Sequence, residues 1–188
     1  MARPRTYERG EVLRRATDLF ARKGYEGAHL QELVEVTGLN RFSLYKEFGG
    51  KEGLFRAAIE AYLVVLGELG AQLQREPAGL ANVRAFFAAL LAQDFPHGCL
   101  AVNTIREKHV VPAPVYALLE RSAAQLEQGF LRNLAAARAS GELDRRTDVP
   151  ALAQFLTALN MGLMSYGVIA PRAADSAHVG AILERVLR

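Results

Sequence analysis

The sequence predicts an all-α protein, and three observations carry that prediction. Apolar residues recur three and four positions apart along nearly all of its 188 residues, the spacing of helices with one buried face. Strict alternation of apolar and polar residues, the mark of a half-buried strand, never lasts beyond a few positions. Gly- and Pro-containing clusters separate the periodic segments.

The first helix is expected over residues 7 to 23, with Val12, Leu13, Ala16, Leu19 and Phe20 on one stripe. Arg22 and Lys23 suit the negative end of its dipole, and Gly24 supplies a left-handed closing residue. A short second helix over 30 to 36 buries Leu30, Leu33 and Val34. Gly38 then breaks the chain, and Asn40 is a good N-cap for a third helix over 41 to 48. A fourth runs from 51 to 74, bounded by Pro77 and Gly79. Five more follow over 80 to 93, 99 to 108, 113 to 139, 148 to 169 and 175 to 187, separated by "DFPHG", "HVVPAP", "ASGELDRRTD" and "APRAAD". The chain divides into an N-terminal unit of short helices, a connecting helix and a larger helical body.

Charge divides the same way. Residues 1 to 56 hold 11 Lys/Arg against 8 Asp/Glu, whereas residues 57 to 188 hold 12 of each, so the net charge of +3 sits entirely in the first 56. That asymmetry suggests an anionic partner for one end of the chain. No apolar run approaches the roughly 18 residues of a membrane span and no signal-peptide core opens the chain, which predicts a soluble cytoplasmic protein without membrane contact. The single cysteine, Cys99, excludes an intramolecular disulfide and any CxxC zinc module. His97 beside it is too sparse for a metal site, and no Ser-His-Asp, paired-carboxylate or phosphate-loop constellation is present. Neither an enzyme nor a cofactor is expected.

The third helix is the most informative. At eight residues it falls below the roughly 12 to 15 needed for marginal stability alone in water, so its neighbours must hold it. At about 100° per residue, Leu44 and Phe48 point one way as anchors, leaving Phe42, Ser43, Tyr45 and Lys46 outward. A helix N-terminus favours acids in its first turn, yet this one reads Arg41-Phe42-Ser43, and the next helix opens on Lys51 after Gly50. Cations at two helix starts make sense if an anion docks at each. Singly, each residue has a plainer reading: Lys51 as a solvated lysine, Tyr45 as a half-buried packing residue, Phe42 as part of the core. Together, in the segment that holds the charge excess, they point to nucleic acid. A helix about 12 Å long, presented by a preceding helix and a Gly-containing turn, is the arrangement that enters a DNA major groove.

The run from "ATDLF" to "AIEAY" resembles the DNA-binding domain of the tetracycline-repressor (TetR) family of bacterial transcriptional regulators, through Phe20, Gly24-Tyr25, Gly38, "SLYKEF" and "GGKEGLF". The likeness covers residues 6 to 66, with the helix-turn-helix at 29 to 48, and leaves 67 to 188 as an effector-binding and dimerisation domain. It implies a homodimer that binds double-stranded operator DNA, represses transcription and lets go when a small molecule enters the C-terminal body. Carried over by position, His29 and Gln31 open the supporting helix near phosphates, and Asn40, Arg41, Phe42, Ser43, Tyr45 and Lys46 belong to the recognition helix and its cap. Tyr45 and Lys51 would grip phosphates while Phe42 and Lys46 face bases. Three positions depart from the family pattern: His29 stands where Thr or Ser is usual, Phe42 where a small residue is common, and Glu47 where His or Tyr is frequent. Phe42 can pack on a thymine methyl, and Glu47 either accepts from a cytosine amino group or pairs with a lysine. Arg3 and Arg5 lie on a Pro-containing arm suited to a minor groove or to disorder.

In the body, the helix over 148 to 169 carries Leu152, Phe155, Leu156, Leu159, Met161, Leu163, Met164, Tyr166 and Val168 around nearly its whole circumference. One face joins its own core and the other needs a second chain, with Gly162 and Gly167 permitting close approach. With the helix over 175 to 187 it resembles the family's dimer interface, which would set two recognition helices roughly 34 to 36 Å apart, or somewhat farther if the operator is bent or widened. "FPHGCLAVNT" resembles a segment of some of these regulators, and Phe86, Phe95, Cys99, Asn103, Tyr116 and Phe155 are candidates to line an effector pocket or simply to fill the core. Cys99 is either a reactive sensor or a buried inert thiol, so regulation through its modification, or no small-molecule effector at all, stands as the alternative.

Overall fold

The computed structural model describes residues 7–93, 95–169 and 176–187, with no side chains described for 166–169 and 176–177. Arg3, Arg5, Tyr166, Gly167 and Val168, to which the sequence assigned roles, therefore lie outside the described side chains. Nine α-helices are seen among the described residues: α1 Arg9–Gly27, α2 Leu30–Thr37, α3 Arg41–Phe48, α4 Lys51–Gly70, α5 Leu80–Leu91, α6 Leu100–Ile105, α7 Ala113–Ser140, α8 Val149–Ile169 and α9 Ser176–Val186. A 3₁₀ turn, Ala71–Gln74, follows α4 where one continuous helix was expected. The all-α expectation holds.

The chain forms two compact units. The first combines the N-terminal part through Val64 with Cys99–Leu119, so α6 and the start of α7 return to the helix-turn-helix unit rather than joining the C-terminal body. The second comprises Val65–Gly98 and Glu120–Arg188.

In the first unit, the expected stripe of α1 is the one buried: Val12, Leu13, Ala16, Leu19 and Phe20. The helix breaks at Gly24 (φ 74°, ψ 177°) and runs one more turn to Gly27. α2 is closed by Gly38, whose N–H donates to Val34 O at 3.1 Å. α3 opens with Asn40 Oδ1 accepting from Ser43 N at 2.8 Å and closes with Gly49 N–H on Tyr45 O at 2.8 Å. These caps satisfy backbone groups that an eight-residue helix cannot pair internally. Leu44 and Phe55 are fully buried, and the Phe55 ring meets Phe20 edge-on at 4.7 Å and Tyr25 at 4.7 Å. Leu100, Val111, Val115 and Leu119 enter the same core. Where α4 crosses the end of α3, a Cβ on Gly53 would lie 1.7 Å from Phe48 O; only glycine permits that approach.

The second unit is built around Phe86, Phe87 and Phe130, with ring centroids 5.2 to 5.8 Å apart. A buried polar node holds the connection into α5: Asn133 Nδ2 donates to Leu73 O and Gly129 O, both at 2.8 Å, while its Oδ1 accepts from Gly79 N and Asn82 Nδ2. Every lone pair and proton of that carboxamide is used, which is what makes burying it tolerable. α8 buries Val149, Ala153, Leu156 and Met164 but exposes Ala151, Phe155, Ala158, Gly162 and Ser165 at helical spacing. In the single chain, then, one face of this helix is covered and the other is open.

Candidate nucleic-acid interface

The site is assembled from the first unit. α2 begins after His29, whose N–H donates to Glu32 Oε2 at 3.3 Å, and both His29 and Gln31 are exposed. Across the Gly38 turn, the anchors of α3 point inward as expected, Leu44 fully and Phe48 partly. Arg41, Phe42, Tyr45 and Lys46 are exposed, Ser43 and Glu47 half-buried, and Asn40 stands exposed at the cap. Phe42 is 76% exposed, the largest exposure among the big apolar side chains described. An aromatic ring so placed loses favourable burial energy of about 2 kcal/mol unless a partner covers it.

Tyr45 is the bridge between α3 and α4. Its backbone carbonyl caps α3, its ring packs close above Gly50, where an added Cβ would lie 3.2 Å from Tyr45 Cε1, and the Arg41 guanidinium stands 5.9 Å from the ring centre. The phenol is thus carried to the start of α4, next to Lys51 in sequence. Nothing acidic lies in the first turn of α3, so the partial positive charge of its N-terminus adds to that of Arg41.

At α4 the arrangement differs from the sequence expectation. Its first turn carries Glu52 as well as Lys51, so the start of this helix is not purely cationic. Lys51 is also half-buried: Nζ donates to Glu26 O at 3.2 Å and sits 4.8 Å from the Tyr25 ring centre. Burial pushes the Lys51 pKa below the ordinary lysine value, while the carboxylates of Glu107 and Glu26 act in the opposite direction. The solvated-lysine reading is therefore set aside by packing: the ammonium is seated on the corner between α1 and α2.

Elsewhere in the unit, cations are neutralised on α1 and α2. Glu11 binds Arg14 and Arg15 at 2.7 Å each, Asp18 binds Arg22 at 3.2 Å, and Glu32 pairs with Lys23. Hydrogen bonds from Arg14 and then Arg15 hold the Glu11 carboxyl at about 2.

The six pocket candidates divide between the units. Cys99, Asn103 and Tyr116 belong to the first; Phe86, Phe95 and Phe155 to the second. Asn103 is committed to the backbone of α1, donating to Ala21 O at 3.2 Å. Tyr116 lies under the Lys108 ammonium at 4.6 Å. Phe86 is locked in the aromatic trio, Phe95 is half-buried, and Phe155 is 48% exposed on the open face of α8. A cavity of about 370 Å³ in the second unit lies between α5 and α9, lined by Phe87, Ala88, Leu91, Leu183 and Leu187 with the Arg84–Glu184 ion pair, and none of the six contributes to it. Cys99 is 1% exposed, and burial raises its thiol pKa despite hydrogen bonding with Tyr62. A thiol so placed is a poor nucleophile. No group of three or more potential metal ligands occurs among the described residues.

Sequence reasoning missed Glu107, which reaches the α1 break and accepts from Tyr25 N at 2.7 Å and Glu26 N at 3.3 Å. A partner 82 positions away leaves no local signal.

Comparison with known proteins bears on this geometry. Residues 12–58 match the model of the bacterial regulatory proteins of the tetR family, and residues 79–179 match that of the tetracyclin repressor-like C-terminal domain. The transcriptional repressor ComR of Escherichia coli is 32% identical over 192 residues, covering 99% of this chain and 87% of ComR. YezE of Bacillus subtilis, an HTH-type transcriptional regulator, is 33% identical over 183 residues, covering 93% and 92% respectively. Among solved structures, a cysteine mutant of the TetR-family regulator CifR complexed with 26-bp double-strand operator DNA superposes with a TM-score of 0.80 at 31% identity, covering 100% of this chain and 98% of CifR. With an exposed recognition-type helix, matches to both family models and full-length relatives, this chain belongs to the TetR family of DNA-binding transcriptional regulators.

Proposed function

We propose that the chain is a homodimeric repressor that binds operator DNA through α3 and releases it when a small molecule enters the helical body. The observation that carries the DNA-binding half is the outward face of α3, where Phe42, Tyr45 and Lys46 project beside an acid-free helix start. Lys46 and Phe42 read base edges, the phenyl ring meeting a thymine methyl, while Tyr45, Lys51, His29 and Gln31 hold phosphates on either side. Repression is supported by the likeness to ComR, and operator binding by the likeness to CifR in its DNA complex.

Dimerisation is supported by the open face of α8, Ala151, Phe155, Ala158, Gly162 and Ser165, whose small residues let a second helix approach closely around one large ring. Exposed Ile182 on α9 adds apolar surface to the same unit. A two-fold pair would present two copies of α3 to successive major grooves. The effector half rests on the family likeness. Against the alternative of Cys99 modification stands its burial, which leaves the thiol both inaccessible and protonated.

Selection of binding sequences from a randomised duplex pool tests the reading directly. A two-fold symmetric consensus is expected, weakened at its thymine positions by Phe42→Ala and altered by Lys46→Ala. A wild-type chain that enriches no sequence would refute it.

A further inference from the structure

We propose that Glu107, outside the helix-turn-helix, is a positioning residue for DNA binding: it fixes the backbone corner on which Lys51 is seated. The inference rests on the reading above that Lys51 meets a backbone phosphate.

The first link is Gly24, inside α1. Its φ of 74° with ψ of 177° is a conformation open to glycine and costly for other residues, and it breaks α1. In an unbroken helix Tyr25 N–H would donate to Ala21 O. The break strands both groups, and the α6 segment replaces each. Asn103 Nδ2 donates to Ala21 O at 3.2 Å, and the Glu107 carboxylate accepts from Tyr25 N at 2.7 Å and Glu26 N at 3.3 Å. The carboxylate presses so near that a Cβ on Gly24 would lie 2.5 Å from its Oε1. A half-buried charge-assisted cap of this kind is a strong local constraint.

What it constrains is the seat of Lys51. The Tyr25 ring, wedged against Phe55 at 4.7 Å, lies 4.8 Å from Lys51 Nζ, and Glu26 O accepts from that Nζ at 3.2 Å. Both surfaces of the seat belong to the two residues whose N–H groups Glu107 holds. A lysine on a fixed seat at the start of α4 loses less rotamer freedom on meeting a phosphate than one free in solvent. Removing the cap frees the corner and with it the ammonium.

The test uses the full chain and a fluorescein-labelled duplex of randomised sequence, with anisotropy titrations across about 50 to 200 mM KCl and melting temperatures read in parallel. Wild type, K51A, E107Q, E107A and K51A/E107A are compared. Glu107→Gln keeps an acceptor for Tyr25 N–H but loses the charge and the second oxygen that accepts from Glu26 N–H, so it should bind no more than about twofold to threefold more weakly than wild type. Glu107→Ala should bind about fivefold to tenfold more weakly than E107Q, the scale of one neutral hydrogen bond. Its salt slope should fall by about 0.9, matching K51A. The double variant should bind no more weakly than K51A alone. Should E107A not fold, E107D replaces it, since its shorter carboxylate keeps the charge but cannot span the same distance, and the same loss is expected. A wild-type chain that ignores DNA removes the reading of α3 and this inference together. If wild type and K51A differ but E107A binds like E107Q, or weakens binding as much in the K51A background as alone, the inference alone falls. An E107A that loses melting temperature while keeping the wild-type slope overturns it as well, because that is what a purely structural cap would do.

Discussion

Leu44→Ala and Phe42→Ala, two residues apart on α3, should fail in opposite ways. Leu44 is fully buried in the core of the first unit and anchors a helix too short to stand alone. Truncating it removes three carbons from a packed site and leaves a cavity, a cost of about 3 kcal/mol within the 2 to 5 range of such changes. For a chain of this size that corresponds to a melting-temperature loss of about 6 to 12 °C. Phe42, 76% exposed, has little burial to lose, so Phe42→Ala should change stability by no more than about 0.5 kcal/mol. DNA binding should respond in the other order. Phe42→Ala should discriminate less between the selected consensus and its thymine-substituted variants, by about 1 kcal/mol per lost apolar contact. Leu44→Ala, measured well below its melting temperature, should retain the wild-type sequence preference. Circular-dichroism melts and anisotropy titrations on the same samples separate the two. A Phe42→Ala protein that melts as early as Leu44→Ala, or a Leu44→Ala protein with unchanged stability, would refute the assignment of inner and outer faces.

Tyr45→Phe should weaken binding to all duplexes without changing the salt slope, because a neutral hydroxyl releases no counterion, and Lys51→Ala should weaken it and reduce the slope by about 0.9, whereas Lys46→Ala should change which sequence is preferred. Phe155→Asp should turn the dimer into a monomer in light-scattering chromatography with little change in helicity, because that ring is half-exposed in the single chain. If the variant stays dimeric, α8 is not the interface. Iodoacetamide should label Cys99 far more slowly in the native chain than in guanidinium, and rapid native labelling would restore the sensor reading. Burial raises both the Cys99 thiol and the Tyr62 phenol, so the unfolded chain releases protons first. The sign is then fixed: stability is complete below about 8.5, the ordinary thiol value, and declines as pH rises above it. Cys99→Ser should flatten the first part of that decline, and an unaltered alkaline profile in the variant would contradict it.

Much of the site was legible because it is encoded locally. Asn40 with Ser43, Gly38 and Gly49 are caps whose partners lie within four residues, so their chemistry can be read off adjacent letters. The inner stripe of α1 and the outward face of α3 follow from the 3.6-residue period alone, and they appear where periodicity put them except at Ser43, which is half-buried. Lys51 was only half read: its position at a helix start is a local fact, but its seat on Tyr25 and Glu26 depends on how α4 crosses the corner of α1 and α2. The pocket candidates show the same limit. Residues 99–119 lie within the body in chain order yet fold into the first unit, which separates Cys99, Asn103 and Tyr116 from Phe86, Phe95 and Phe155.

By itself, then, the sequence determined which segments are helical, which faces of α1 and α3 are buried and which short helix must be held by others. Those are consequences of backbone geometry and side-chain period over a few residues. Tertiary structure alone decided that α6 repairs the broken end of α1, that Glu107 and Asn103 supply its missing partners, that Cys99 is sealed away and that Lys51 is seated. Each of these joins groups tens of residues apart, and no local preference records which distant side chain will satisfy a stranded N–H or carbonyl.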